Sequence, residues 1–195
     1  MKITRAGIAV CLAVAVLAPS TAHAYPPGRN IAVNLTSAGM VKPGATLTAN
    51  VVNAKPGAVT ITWGSTIANA VASVTGEAAN TFKPTKTGVY TVTVVDTHIA
   101  GSNTTSTFLY VPSVTFPKPT SIKSLATFSV LNAKPGTVVT IKVGSKSFKG
   151  TVKGAAGKTN KTDIKFKLPK KGSNTVTVSV GTDKKLAFSG KAVGK

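Results

Sequence analysis

The chain is 195 residues long, carries 24 Lys and Arg against 4 Asp and Glu, and has a formal net charge of +20 at pH 7. One cysteine and two histidines rule out a disulfide framework and a Cys/His metal centre. Four carboxylates leave little material for paired acid–base chemistry, whereas the excess of positive charge favours attraction to polyanions.

Residues 1–24 read as a secretory signal peptide. Lys2 and Arg5 form the basic start, 7–17 is an apolar run too short to span a bilayer, and Ala22-His23-Ala24 is a small-x-small cleavage site before Tyr25. A lipoprotein reading on Cys11 fails, because Val10 stands where a small residue is needed. The mature chain then has no thiol, His98 as its one imidazole, and no expected transmembrane segment. A secreted or cell-surface location follows from this leader.

Tyr25-Pro26-Pro27-Gly28 reads as a stiff, solvated lead-in. Alternation over 31–35 predicts a first strand. Lys42-Pro43-Gly44 turns the chain into a strand over 46–52, with Leu47, Ala49 and Val51 on one face. Val59, Ile61 and Trp63 form the inner face of a third strand, Trp63 being expected to pack on Val92 and Val94 from facing strands. Residues 67–74 are less regular and predict a short strand or crossover, with a loop at Gly76-Glu77. A short strand at 80–83 precedes the cleanest alternation, 90–95, and Gly101-Ser102-Asn103 turns that into a strand over 105–111. About seven short strands with regularly spaced turn signals are the pattern of an immunoglobulin-like sandwich.

Pro112, Pro117 and Pro119 mark a semi-rigid linker or edge start. Beyond them the order repeats, with strands predicted at 124–131, 137–143, 147–152, 162–168, 175–180 and 186–189. The plainest sign of duplication is Asn53-Ala54-Lys55-Pro56-Gly57, which returns as Asn132-Ala133-Lys134-Pro135-Gly136, each between alternating apolar runs. The fold class expected is all-β: two tandem immunoglobulin-like sandwiches, 25–112 and 113–195, after the cleaved 1–24. Charge divides unevenly between them. From Tyr25 to Phe116 five cations meet two acids, a net +3, whereas from Pro117 onward seventeen lysines meet two aspartates, a net +15.

The succession of strand, Lys-Pro-Gly turn, Val-x-Ile strand and Gly-x-Tyr-Thr-Val-Thr-Val resembles the bacterial immunoglobulin-like and PKD-like repeats of secreted and surface proteins. The resemblance implies that Tyr90, after Gly88, is a corner residue and that Trp63 fills the core. The second half departs from it, with Asn174 in place of Tyr90 and Val143 in place of Trp63. A smaller and less stable second core is the expectation.

Candidate sites are few. Asp96 and His98 could pair as base and orienter, though a solvated pair at a loop mouth is the plainer reading. Gly157-Lys158-Thr159 resembles the end of a phosphate loop, but Val152 stands where glycine belongs, so a polar hairpin loop is expected. Leu168-Pro169-Lys170-Lys171-Gly172 resembles a sorting signal with Lys in the Thr position, and reads as a strand end and turn. Asn34, Asn103 and Asn160 stand in glycosylation triplets. No catalytic, metal or cofactor residues are expected, and the chain reads as non-enzymatic.

The lysines carry the one functional reading of weight. Lys142, Lys146, Lys149, Lys165, Lys167, Lys170 and Lys171 are the candidate polyanion contacts, for an anionic cell-wall polymer or an acidic glycan. Nucleic acid fits poorly, since the mature chain has one Arg for bidentate recognition and few aromatics to spare for stacking. The competing reading is a structural spacer or secreted antigen whose lysines only keep it soluble and blunt its strand edges.

Overall fold

The computed structural model describes residues 30–96 and 103–195. The expected signal peptide, the Tyr25–Gly28 lead-in, His98 and the Gly101-Ser102 part of a turn lie outside the described residues. The rest is an all-β protein of two immunoglobulin-like sandwiches in tandem.

The first comprises β1 (Ala32–Leu35), β2 (Leu47–Val52), β3 (Gly57–Trp63), β4 (Thr66–Ala72), β5 (Ala78–Phe82), β6 (Gly88–Asp96) and β7 (Asn103–Val111). The second comprises β8 (Ser113–Thr115), β9 (Leu125–Leu131), β10 (Val138–Val143), β11 (Lys146–Thr151), β12 (Lys161–Lys167), β13 (Gly172–Val180) and β14 (Ala187–Gly194). Sheet β1-β2-β5 packs on sheet β4-β3-β6-β7, and β12-β9-β8 packs on β11-β10-β13-β14, so the two topologies are the same strand for strand. All named pairings within sheets are antiparallel.

The duplication reaches further than the motif. In each half the first strand pairs with one sheet, after which the chain crosses to bridge the last strand of the other in parallel, at Met40 with Tyr110 and at Thr120 with Gly194. In the first half the crossing runs through a kink in which Ser37 and Ala38 have φ of 53° and 52°.

The repeated pentapeptide is the corner between sheets, not a hairpin, since β2 and β3 belong to different sheets, as do β9 and β10. Asn53 and Asn132 open it in the left-handed region, at φ 62° and 57°, a conformation that Asn tolerates better than most side chains. Ala54 and Ala133 follow, wholly buried where the two sheets meet.

Alternation places the cores where the sequence predicts. Leu47, Ala49 and Val51 face Val59, Ile61 and Trp63 across the first sandwich, all buried. Trp63 is 1% exposed, but its neighbours differ from expectation. Val92 is its cross-strand partner within the same sheet, and Ile61 opposes Val94. The facing sheet contributes Phe82, stacked on the indole at 5.1 Å between centroids, and Asn80, whose Oδ1 accepts from the indole Nε1 at 3.3 Å.

The second core is not the smaller one. Val143 does stand at the Trp63 position, yet the aromatic volume has moved to other strands. Phe148, Phe166 and Phe128 form a three-ring stack, with centroids 3.8 Å and 4.9 Å apart, and Phe116 meets Phe128 edge-on at 6.1 Å. Gly190 makes room for Phe116, since a Cβ there would lie 2.6 Å from the ring. The expected ranking of the two domains by core size therefore has no physical basis.

The corner residues also match by role. Tyr90 Oη donates to the carbonyl of Lys86 at 2.9 Å, four residues upstream, as a tyrosine corner does. Asn174 reaches the carbonyl of Lys170, also four residues upstream, at 3.0 Å, and its Nδ2 lies within reach of Gly172 and Ala192 carbonyls too. The amide thus replaces the phenol as the pin between the fifth and sixth strands.

Candidate functional site: the basic end of the second sandwich

Each carboxylate has a local structural partner. Asp96 is fully buried, and its Oδ2 accepts from the Lys55 amide at 2.7 Å. It is therefore not a solvated residue at a loop mouth. It closes the repeated corner of the first sandwich from the end of β6. Asp163 accepts from Ser129 Oγ at 2.6 Å and lies 3.3 Å from Lys161 Nζ. The Ser129 hydroxyl, then the Lys161 ammonium, hold its carboxyl below its ordinary value of 3.8. Asp183 caps the short turn Lys184–Leu186, accepting from the Lys185 amide at 2.8 Å. Glu77 lies 3.5 Å from Thr75 Oγ1. Among the described residues, no three His, Cys, Asp or Glu side chains gather as metal ligands would.

Two motifs take on structural meaning. Gly157-Lys158-Thr159 lies in the connection from β11 to β12, which passes from one sheet to the other and so is no hairpin. Its Gly157 amide donates to Tyr110 Oη of the first sandwich at 2.9 Å. Leu168-Pro169-Lys170-Lys171-Gly172 is the strand end and turn between β12 and β13, as predicted. The Asn160 triplet carries a buried side chain that donates to the Ala155 carbonyl at 3.1 Å.

The seven candidate lysines are all exposed, and the fold distributes them over three surfaces. Lys142 and Lys149 stand on the outer face of the four-stranded sheet, where they alternate with the buried Ile141 and Val143 and the inward Phe148. Lys165 and Lys167 stand on the outer face of the opposite sheet, along the edge strand β12, with Ile164, Phe166 and Leu168 turned inward as expected. Lys146, the first residue of β11, and Lys170 and Lys171, in the β12–β13 turn, lie at the end of the sandwich away from the first.

That end has a definite construction. The β10–β11 and β12–β13 turns line one groove of about 470 Å³, which includes Ser145, Lys146, Lys170, Ser173 and Thr175. The connection between β8 and β9 reaches the same end: the Thr120 amide donates to the Val193 carbonyl at 3.0 Å, the Lys195 amide donates to the Thr120 carbonyl at 3.0 Å, and the Ile122 amide donates to the Lys195 carbonyl at 3.2 Å. A Cβ on Gly194 would meet both Ile122 and the Lys170 carbonyl. Lys118, Lys123 and Lys195, all exposed, therefore join Lys146, Lys170 and Lys171 there. Both aspartates of this half lie elsewhere, Asp163 within β12 and Asp183 in the β13–β14 connection. The motif-by-motif reading omits Lys118 and Lys123, because only the Thr120–Gly194 bridge brings their loop to this end.

A second groove, of about 630 Å³, lies where the sandwiches meet, between Ser37, Ala38 and Met40 on one side and Thr137, Val180 and Leu186 on the other. No helix among the described residues is long and apolar enough to cross a membrane.

No protein-family model matches the sequence, and no curated protein matches it. Solved structures of similar architecture include the D0-D1 domain of intimin, at 14% identity and a TM-score of 0.35, covering 85% of this chain and 98% of that one. Invasin, described as a bacterial integrin-binding protein, is similar at 13% identity and a TM-score of 0.35, covering 86% of this chain and 40% of that one. Red sea bream transglutaminase is similar at 11% identity and a TM-score of 0.37, covering 86% of this chain and 31% of its own length. The chain thus spans about a third of the transglutaminase. These likenesses carry no inference about activity or ligand.

Proposed function

We propose that this is a non-enzymatic binding module, secreted and acting at the cell envelope, that attaches to anionic polymer through the basic end of its second sandwich. The observation that supports this most is the gathering of Lys118, Lys123, Lys146, Lys170, Lys171 and Lys195 at one end of the sandwich, on segments that hold no Asp or Glu. Lysine ammonium groups are compact charges on flexible stems, suited to a repetitive, loosely ordered polyanion such as an anionic cell-wall polymer or acidic glycan. The groove between the two turns adds Ser145, Ser173 and Thr175 hydroxyls as neutral partners for phosphate or carboxylate oxygens.

The test is co-sedimentation of the purified chain with a teichoic-acid-type polyphosphate and with an acidic polysaccharide, across a salt series. Binding at low salt should fall steeply through physiological ionic strength, where exposed charges are screened over about 8 Å. Replacing Lys118, Lys123, Lys146, Lys170 and Lys171 together with Gln should abolish it. The same exchange at Lys142, Lys149, Lys165 and Lys167 should weaken it less. Equal losses from both sets would mean that total charge, not this end, governs attraction. No binding at low salt would leave the spacer reading, which Lys161, Lys165 and Lys167 along the edge strand β12 favour.

A further inference from the structure

The edge strand β4 is a pairing surface, and we propose that two copies of this chain join through it, antiparallel and centred on Asn69. β4 ends the sheet β4-β3-β6-β7 and pairs on one side only, with β3. Its sequence, Thr66-Ile67-Ala68-Asn69-Ala70-Val71-Ala72, has no charge, no proline and no glycine. Such an edge is a template for another strand unless something blunts it.

The second sandwich supplies an internal comparison. Its strand at the same place, β11, carries Lys146, Lys149 and Gly150, each of which disfavours pairing. The other end of the β4 sheet is β7, which Met40 bridges at Tyr110 and which shows Thr104 and Ser106 to solvent. β4 has no such bridge among the described residues. Instead it exposes Ile67 at 69% and Val71 at 77%, both on the outer face with Asn69 between them.

That spacing fits a second copy. In an antiparallel pair centred on Asn69, Ile67 of each copy lies opposite Val71 of the other, so both apolar pairs are covered at once. On the inner face Ala68 lies opposite Ala70 and Thr66 opposite Ala72, small residues that let the strands close up. The contact is isologous and closes on itself as a dimer, with no exposed copy of the edge left over. Charge selects the same arrangement. The half containing β4 carries +3 and the other +15, so chains of this kind can meet where charge is least. Antiparallel pairing of β4 directs the two basic sandwiches to opposite ends of the assembly.

Asn69→Cys in a Cys11→Ser background makes the central thiol the only one in the chain. Directly opposed Cα atoms in antiparallel strands lie about 4.5–5.5 Å apart, within disulfide range. Mild oxidation should yield a covalent dimer. Val74→Cys, equally exposed but beyond β4, should not, because the same register puts its two copies roughly 30 Å apart. In sedimentation the cysteine-free chain should dimerise, more so as salt screens the basic ends, and Val71→Lys should return it to monomer with an unchanged circular dichroism spectrum. A monomer at all concentrations that forms no Asn69→Cys disulfide overturns the proposal. So does cross-linking of Val74→Cys as readily as Asn69→Cys, or a dimer that Val71→Lys leaves intact.

Discussion

Asp96 shows how one residue can look chemical in the sequence and be architectural in the fold. Its carboxylate is buried and receives the Lys55 amide at the corner where β2 passes to β3. The second sandwich places Val180 at the corresponding register, opposite Val139 as Asp96 is opposite Val59. There backbone hydrogen bonds tie the corner, from the Gly136 amide to the Val152 carbonyl and from the Asn132 amide to the Asn160 carbonyl. Asp96→Ala should therefore destabilise the chain by about 1.5–3 kcal/mol, the range for a lost bond to a charged acceptor, read as a lower denaturant midpoint. An unchanged midpoint would show that the corner holds without it. Asp163 behaves differently, being at the surface. Its folded pKa is lowered, so its contribution is present above the ordinary 3.8 and fades as pH falls through the lowered value. Ser129→Ala should move its titration upward in an NMR series, because the hydroxyl is the larger cause.

At the scale of elements, the strands that alternate are legible in the sequence. Residues 90–95 and 105–111 lie within β6 and β7 because their apolar residues repeat every second position, and only one register buries them. β8 was hidden for the converse reason: Ser113–Thr115 is three residues between prolines, too short for a period, and it exists because β9 offers it an edge. The inner faces were legible, but not which strand lay across the core from which. Trp63 alternates with Ile61 and Val59 in any sandwich, and only the pairing of β3 with β6 makes Val92 its lateral neighbour and Phe82 its stacking partner. The candidate lysines were legible as exposed positions and illegible as a surface, since they divide between two sheet faces and one end. Trp63→Ala should cost about 3–5 kcal/mol, as large-to-small core changes do. Phe166→Ala should cost a similar amount, since its ring stacks between Phe148 and Phe128. A markedly cheaper Phe166→Ala would mean that the Phe stack collapses into the space.

At the scale of the whole molecule, Pro112 is the single residue between β7 and β8, and it is buried. Met40 and Tyr110 of the first sandwich belong to the buried cluster of the second, with Val89 and Phe108 packed beside them. Lys42 donates to the Ala187 carbonyl, its ammonium 4.8 Å from the Phe188 ring centroid. Sandwiches joined in this way should unfold together, because melting either one exposes apolar surface of the other. A tight point of contact is Gly157, whose amide meets Tyr110 Oη and whose missing side chain leaves space for Phe108. A Cβ there would lie 2.5 Å from the Phe108 ring, and the backbone sits at φ 73°, where an L side chain is strained. Gly157→Ala should thus loosen the junction at Phe108 and Tyr110 while leaving Trp63 and the Phe148–Phe166–Phe128 stack in place. In scanning calorimetry the native chain should show one transition, and Gly157→Ala should separate it into two of smaller enthalpy. Two transitions in the native chain would mean that the junction is too weak to couple the halves, and the basic end would then move freely of the first sandwich.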